Sequence, residues 1–290
     1  MSAVAASVVF GLLAAAGWGI ADFIAAAASK RVGVLRTATS VHLASAVAAA
    51  GYFVIVFEPG VVKWQHWVIL GAMSAGGVLV YVAFYRALVE GPVAVVSPIV
   101  SSYAIILIGL AVVFAGERLS LWQAIGAMCS VGGVVLASFD PRSLSDGGRV
   151  IGLGAALAIV TMIGLGGLSY ALGIMSRELG WFLPVFITRV VSTALFIPLT
   201  IAMRQWTLKG VTIALALLVA FAGIVEMGGM FAYARGTEVG IISIVAAASI
   251  SYPLIPMLGG IVLLRERLAF SQWVGLCITL AGLFVLALAS

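Results

Sequence analysis

The sequence predicts an all-α protein that crosses a membrane ten times and consists of two inverted five-helix repeats. Composition, hydropathy and an internal repeat lead to this prediction. Hydrophobic residues make up 64% of the 290-residue chain and charged residues only 9%, whereas soluble proteins contain about 25% charged residues. Because charged side chains are costly in the hydrocarbon core of a bilayer, this composition is typical of a polytopic membrane protein. It excludes a soluble domain.

Ten apolar stretches are long enough to cross the hydrocarbon core, which takes about 20 residues of helix. They cover residues 4–28, 37–57, 67–89, 91–115, 120–138, 150–175, 180–203, 210–234, 239–263 and 269–288, and are called spans 1 to 10. The longest polar stretch, residues 140–149, is the predicted linker between a first repeat at 1–139 and a second repeat at 150–290.

The second half of the chain repeats the first. ERLSLWQAIG at 117–126 matches ERLAFSQWVG at 266–275 in its Glu, Arg, Leu, Gln and Gly residues, and the same displacement of 149 residues relates Tyr103 to Tyr252. A displacement of 147 residues matches five early residues with later ones: Gly17, Gly19, Ser29, Gly33 and Ser45 fall on Gly164, Gly166, Ser176, Gly180 and Ser192. Five spans per copy is an odd number, so the second copy enters the membrane from the opposite side and the repeats are inverted.

Charge and cysteine content narrow the function further. The net charge of +5 comes from scattered basic residues without a clustered stripe, so we expect no nucleic-acid partner. The loops after the odd-numbered spans hold ten Lys and Arg residues and those after the even-numbered spans hold four, which places the odd loops in the cytoplasm and both termini outside. Cys129 and Cys277 occupy nearby places in the two repeats and are interpreted as packing residues.

Several motifs resemble the drug/metabolite transporter superfamily, in its ten-helix EamA-type family. They are Gly116–Ser120 before span 5, Arg265–Leu268 before span 10 and Ser251-Tyr252-Pro253 in span 9. In span 4 the matching Ser102-Tyr103-Ala104 lacks the proline, and Pro98 lies earlier. We therefore expect the bend of span 4 to be displaced.

The resemblance implies a secondary transporter that works by alternating access in a bacterial inner membrane. Spans 1–4 and 6–9 would enclose the cavity, with spans 5 and 10 to the side. The expected substrates are small polar metabolites, with amino acids and their export as the leading reading and organic cations, quaternary amines or drugs as the alternative. A channel or a non-transporting membrane protein is the remote alternative, and neither enzymatic activity nor a cofactor is expected. The resemblance also implies cytoplasmic termini, opposite to the loop charges, so both orientations stay open.

Three ionised side chains lie well inside spans: Asp22, Arg189 and Glu226. Placing them against lipid would be costly, so they should face the bundle interior or a cavity. His42 is a fourth titratable group, and the 147-residue displacement places it on Arg189. All four are predicted substrate-binding residues, and Glu226 and Asp22 are predicted to couple transport to protons. No metal site is predicted.

Trp18 and Asp22 stand four residues apart and therefore share one face of span 1. A carboxylate beside an indole ring suits a cation, through charge and cation–π attraction together. The alternative is an Asp that reaches the membrane interface or bonds a neighbouring hydroxyl.

Glu226 and Arg189 lie on consecutive spans, so they either form a structural pair or act separately on the substrate. In the second case Arg189 would bind a carboxylate, and with Asp22 it would suit a zwitterion such as an amino acid.

Tyr81, Tyr103 and Tyr252 complete the predicted substrate site, because tyrosines inside spans can line a cavity as well as mark the membrane interface. Pro98, Pro253 and Pro256 should interrupt spans 4 and 9. The repeated Glu-Arg pairs lie at membrane edges and are predicted to fix the short loops before spans 5 and 10 rather than to bind substrate.

Overall fold

The protein is an all-helical bundle. The computed structural model describes residues 2–56, 62–90, 93–138, 152–207, 209–264 and 268–289, and these residues contain helices and no strands. The first half of the chain forms α1 (Ala3–Val32), α2 (Val34–Val56), α3 (Trp64–Glu90), α4 (Val93–Ser101), α5 (Tyr103–Phe114) and α6 (Leu121–Ala137). The second half forms α7 (Leu153–Leu179), α8 (Phe182–Ala202), α9 (Ile213–Val239), α10 (Ile242–Ser249), α11 (Leu254–Leu264) and α12 (Phe270–Leu288). The predicted linker at 140–149 and the pair Glu266-Arg267 lie outside the described residues.

The predicted spans agree with the helices. Within the described part of the chain, nine helical segments are long and apolar enough to cross a membrane, and α6 with its 17 residues is shorter. Seventeen residues are at the lower limit for a spanning helix. Spans 4 and 9 each consist of two helices in succession, α4 with α5 and α10 with α11. The fold class predicted from the sequence is therefore confirmed: a polytopic membrane protein of ten spans.

Spans 4 and 9 are interrupted at matching places. The first break is at Ser102, between α4 and α5, and the second covers residues 250–253, between α10 and α11. Pro98 lies inside α4, and the Ser102 hydroxyl donates to its carbonyl oxygen at 2.8 Å. The prediction that the bend of span 4 is displaced relative to that of span 9 is thus wrong. The helix is interrupted at Ser102, which matches the break in span 9, and Pro98 lies inside α4.

Most helices pack against helices from the other half of the chain. The most extensive helix contacts join α1 with α9, α6 with α12, and α3 with α7, followed by α2 with α9, α1 with α10 and α5 with α7. In membranes such close packing depends on small residues at the contact. A Cβ added at Gly19 would lie 2.6 Å from the Tyr252 carbonyl oxygen, and one added at Gly166 would lie 2.7 Å from the Tyr103 carbonyl oxygen. The displacement of 147 residues relates Gly19 to Gly166, and that of 149 residues relates Tyr103 to Tyr252. The two contacts are therefore equivalent under the sequence repeat.

The repeated Gln residues of the motif cap α6 and α12, and a Gly of the motif lets the two helices approach closely. The Gln123 side-chain oxygen accepts from the Ser120 backbone N–H at 2.9 Å, and the Gln272 oxygen accepts from the Ala269 N–H at 2.8 Å. Each glutamine therefore caps the start of its own helix. A Cβ at Gly126 would lie 3.0 Å from the Gly282 carbonyl oxygen, so this glycine permits the close approach of α12.

Gly133 and Gly132 provide a matched test of this packing. A Cβ at Gly133 would lie 2.5 Å from the Thr279 backbone nitrogen, whereas a Cβ at Gly132 would meet nothing within 4 Å. We expect Gly133→Ala to destabilise the protein by about 1–3 kcal/mol through overpacking. Gly132→Ala should be neutral or stabilising, because alanine is the better helix former. Melting temperatures of the two purified variants in detergent check this, and equal values would contradict the α6–α12 packing.

Candidate functional site

A cavity of about 650 Å³ lies among helices of both halves. Its walls come from α1, α3, α4, α6, the span 9 break, α11 and the start of α12. The lining residues are mostly small, hydroxylated or apolar: Asp22, Phe84, Ser97, Val100, Ser101, Val134, Ala137, Ser138, Tyr252, Pro253, Leu254, Pro256, Met257, Leu268 and Gln272. Spans 5 and 10 therefore contribute to the cavity through α6 and α12, and the expectation that they lie to the side is corrected.

Asp22 is the acidic residue of the described cavity lining. It is exposed although it lies ten residues before the end of α1, because it faces the cavity. Among the described residues no hydrogen bond or ion pair is made to its carboxylate. α1 reaches this position because glycines at 17 and 19 let it pack closely against α9 and the span 9 break. Asp22 is thus accessible to a ligand, and no charged group among the described residues forms an ion pair with it.

Arg189 and Glu226 form an ion pair between α8 and α9. The Arg189 Nη2 donates to Glu226 Oε1, and the arginine side chain is only 7% exposed. Ser45 on α2 lies 2.6 Å from Glu226 Oε2 and 2.7 Å from the Gly223 carbonyl oxygen, and its single proton can serve one of them at a time. Of the two alternatives for Arg189 and Glu226, the structure places them in a buried pair. Neither lines the cavity.

His42 lies beside this pair in an aromatic environment. Its ring centroid is 4.8 Å from that of Phe196 and 5.9 Å from that of Tyr81, and its Nδ1 is 3.0 Å from the Ala38 carbonyl oxygen of its own helix. Thr193 donates to the His42 carbonyl oxygen at 3.2 Å. His42 and Tyr81 therefore pack together at the α2–α3–α8 contact, outside the cavity lining.

Of the remaining aromatic candidates, Tyr252 lines the cavity, and Trp18 and Tyr103 are not among its lining residues. Trp18 packs against Tyr233 at 5.5 Å between ring centroids and meets Tyr252 edge-on at 6.2 Å. Tyr103 begins α5 and is buried. Of the eight predicted substrate-binding residues, the structure places Asp22 and Tyr252 on the cavity wall, and Trp18 packs against Tyr252.

Glu117 joins the two halves at a distance from the cavity. Its carboxylate accepts from the backbone N–H groups of Ile242 and Ser243 at 2.7 and 2.9 Å, and from the Ser243 hydroxyl at 2.7 Å. Arg177 on α7 donates to the same carboxylate at 2.7 Å and also to the carbonyl oxygens of Thr237, in the last turn of α9, and Gly240, directly after α9. Glu117 was predicted to fix its own loop, but it caps the N-terminus of α10 in the other half, where a carboxylate is stabilised by the helix dipole.

Several residues of the site carry little or no signal in the sequence. Ser97, Ser138 and Gln272 line the cavity, and Ser45 binds Glu226. Gln272 and Ser45 both belonged to the repeat pattern, which could have marked them. Ser97 and Ser138 carried no signal, because single serines are common in packed membrane helices.

The structure is therefore a helical membrane bundle with a cavity that residues of both halves line. Residues 5–139 match the model of the EamA-like transporter family. This match assigns residues 5–139 to the EamA-like transporter family of the drug/metabolite transporter superfamily. The resemblance noted from the sequence is confirmed.

Two further comparisons complete this result. One solved structure, described only as the crystal structure of a protein, aligns with a TM-score of 0.77 over 98% of this chain and 99% of its own, at 16% sequence identity. At that identity the similarity shows the fold alone. No curated protein matches the sequence significantly.

The Arg189–Glu226 pair gives a test of its structural role. Arg189→Met leaves the Glu226 carboxylate buried without its cation, and we expect a loss of stability of about 3 kcal/mol or more. The double variant Arg189→Met/Glu226→Gln should recover most of that loss, because no unpaired charge remains. Thermal unfolding in detergent measures both. If the double variant were as unstable as the single one, the pair would not account for the effect.

Proposed function

We propose that this protein is a secondary active transporter that moves small polar metabolites across a bacterial inner membrane by alternating access. The observation that carries the proposal is an asymmetry between the two membrane faces. A cavity reaches towards one face, and a charged network joins the two halves at the other. Outward transport is an expectation from the family resemblance.

The cavity lies towards the face where spans 1 and 5 end and span 10 begins. Asp22 is ten residues, or about 15 Å of helix rise, from the end of α1. Ser138 directly follows α6 and Gln272 is in the first turn of α12. Since successive spans alternate in direction, these three elements belong to the same face of the membrane. A substrate would enter from this side and meet Asp22.

The Glu117 network lies at the opposite face, where spans 4 and 6 end and span 9 begins. The Glu117 side chain is only 8% exposed and is held by Arg177 and by the start of α10. These contacts join the first half to the second. For the cavity to open on this side the network would have to separate, which is the movement that alternating access requires.

In this proposal the chain consists of two inverted repeats, residues 1–139 and 150–290, which residues 140–149 join. Two pairs of matching features support it. The breaks in spans 4 and 9 fall at related positions, and Gly19 and Gly166 make related contacts with the carbonyl oxygens of Tyr252 and Tyr103. Related elements that can exchange equivalent contacts allow one half to rock against the other.

Counterflow distinguishes this transporter from a channel. A thermal-shift screen of amino acids, choline-like amines and sugars first selects a ligand of the purified protein. Proteoliposomes preloaded with that ligand should then accumulate the labelled ligand transiently, and the rate should saturate with concentration. Flux that rises linearly with concentration and shows no counterflow would indicate a channel.

Glu117→Gln tests whether the Glu117 network keeps the cavity closed towards the membrane face on which the network lies. In a background with Cys129 and Cys277 replaced by alanine, a cysteine at Ser97 reports access to the cavity for a membrane-impermeant thiol reagent. We expect labelling from the cavity face in the unmodified background. Labelling from the opposite face should increase in Glu117→Gln, because the amide loses the ion pair to Arg177 and places N–H groups against the N–H donors of α10.

Glu178→Gln is the matched control for that experiment. Glu178 is on the same helix as Arg177, is 51% exposed and lies 3.4 Å from His66. Its labelling pattern should equal that of the unmodified background. An unchanged pattern in Glu117→Gln would contradict the assignment of the closed face.

Proton coupling is tested at the two acidic residues. Asp22 lines the cavity, whereas Glu226 is held by Arg189 and Ser45, so we expect Asp22 to take up and release the proton. Substrate added to proteoliposomes with a trapped pH dye should move protons in the wild type and in Glu226→Gln, and not in Asp22→Asn. Proton movement that persists in Asp22→Asn would exclude this residue as the coupling group.

A further inference from the structure

We propose that the ligand of the cavity is a small organic cation, a protonated or quaternary amine with an apolar body, bound by Asp22. The inference rests on the proposed transport function and names its substrate class. Three features carry it: the charge of the cavity wall, the pairing of Arg189 and the apolar surface around Asp22.

The described cavity wall carries a single ionised group. Asp22 is its only acidic residue, and no lysine, arginine or histidine is among the residues that line it. The other polar groups are hydroxyls and one amide, at Ser97, Ser101, Ser138 and Gln272 besides the Tyr252 phenol. A cationic ligand would neutralise Asp22, whereas a ligand carboxylate would find no cation among the described residues of this wall. Charge complementarity of this kind discriminates strongly between ligands.

Arg189 is not available for a carboxylate. The amino-acid reading of the sequence needed this guanidinium to bind the carboxylate of a zwitterion. Arg189 instead pairs with Glu226, is 7% exposed and is absent from the cavity wall. Releasing it would leave Glu226 buried without its ion pair, which is costly. Arg189, the group that would bind the carboxylate of an amino acid, is therefore occupied, whereas Asp22, the group that would bind an amine, lines the cavity.

The wall around Asp22 suits an alkylated ammonium rather than a bare inorganic ion. Phe84, Tyr252, Leu254 and Met257 supply aromatic and apolar surface. Aromatic faces attract organic cations through their quadrupoles. Trp18 packs edge-on to Tyr252, which keeps the phenol ring in a fixed orientation. The volume of about 650 Å³ is in the usual range for small-molecule pockets, and it exceeds what a hydrated metal ion requires.

Two serine hydroxyls of the cavity wall favour a ligand that carries a polar substituent besides its amine. The Ser101 and Ser138 hydroxyl oxygens lie 3.1 Å apart, and Ser138 donates to the Val134 carbonyl oxygen, so the Ser101 hydroxyl is the group that can turn from Ser138 towards a polar substituent of the ligand. Ser101 is the last residue of α4 and Ser138 directly follows α6, and both line the same cavity as Tyr252. An amine with a hydroxyl or ether group would therefore bind more tightly than a simple alkylamine.

Choline and 3,3-dimethyl-1-butanol test the inference directly, because the alcohol has the shape of choline without its charge. We expect choline or a bulkier quaternary amine, benzyltrimethylammonium, to raise the melting temperature of the wild type, with no shift from the neutral alcohol. Glycine betaine, which adds a carboxylate to the same headgroup, should bind more weakly than choline. Asp22→Asn should weaken binding of the cation by about thirtyfold or more.

Glu238→Gln is the control variant, since Glu238 pairs with Arg235 at a distance from the cavity. It should bind the cation like the wild type. Binding of the quaternary amines that is equal in wild type and Asp22→Asn would overturn the inference, as would the absence of any shift with a folded wild type. Ser101→Ala should weaken choline and leave benzyltrimethylammonium unchanged.

Counterflow separates this inference from the proposed function. Cation binding that depends on Asp22, together with saturable counterflow, supports both. Cation binding without counterflow supports the assigned site and contradicts transport. Saturable counterflow of amino acids without any cation binding supports transport and contradicts the substrate class.

Discussion

An ionised side chain in the hydrocarbon core needs either an opposite charge or a water-accessible cavity, and the charged residues of this protein follow that constraint. Arg189 and Glu226 satisfy each other, with Ser45 from the first half of the chain as an additional partner. Asp22 has no such partner among the described residues and faces the cavity. The two acids therefore differ in role: Glu226 connects helices, and Asp22 remains available to a ligand.

The same constraint applies to the backbone. Non-helical backbone at membrane depth is tolerated only where it is buried in protein or lines a cavity. The break at 250–253 satisfies this condition, because Tyr252 and Pro253 line the cavity. The close approach of Gly19 to the Tyr252 carbonyl keeps α1 against the break. Asp22, one turn further along α1, is thereby brought onto the same wall as Tyr252.

The fold was largely predictable and the site only partly so. Ten spans could be recognised because bilayer thickness sets the length of an apolar stretch. The break of span 9 could be inferred from Pro253, but that of span 4 falls at Ser102, where local hydrogen bonding and packing decide. Asp22 was recognisable as a charge inside an apolar span.

The partners of the charged residues were not predictable. Ser45 and Glu226 are 181 residues apart, and Glu117 and Ile242 are 125 apart. Which residues meet across such separations depends on which helix faces pack together. In soluble helices the apolar face identifies the packed side. In lipid both faces are apolar, and the small residues that mark contacts here occur all around the helices. Sequence periodicity therefore carries little information about these pairings.

In the proposed alternating-access cycle, Glu117 would favour two distinct states. While the face is closed, its carboxylate is shielded from water and satisfied by Arg177 and by the start of α10. Separating these groups without water would leave a charge and several N–H donors unsatisfied, which makes partly open arrangements costly. Once the face is open enough for water to enter, the same groups become hydrated and the cost falls. A buried charged network of this kind disfavours intermediates more than it disfavours the open state, and this is the property that a two-state transporter needs.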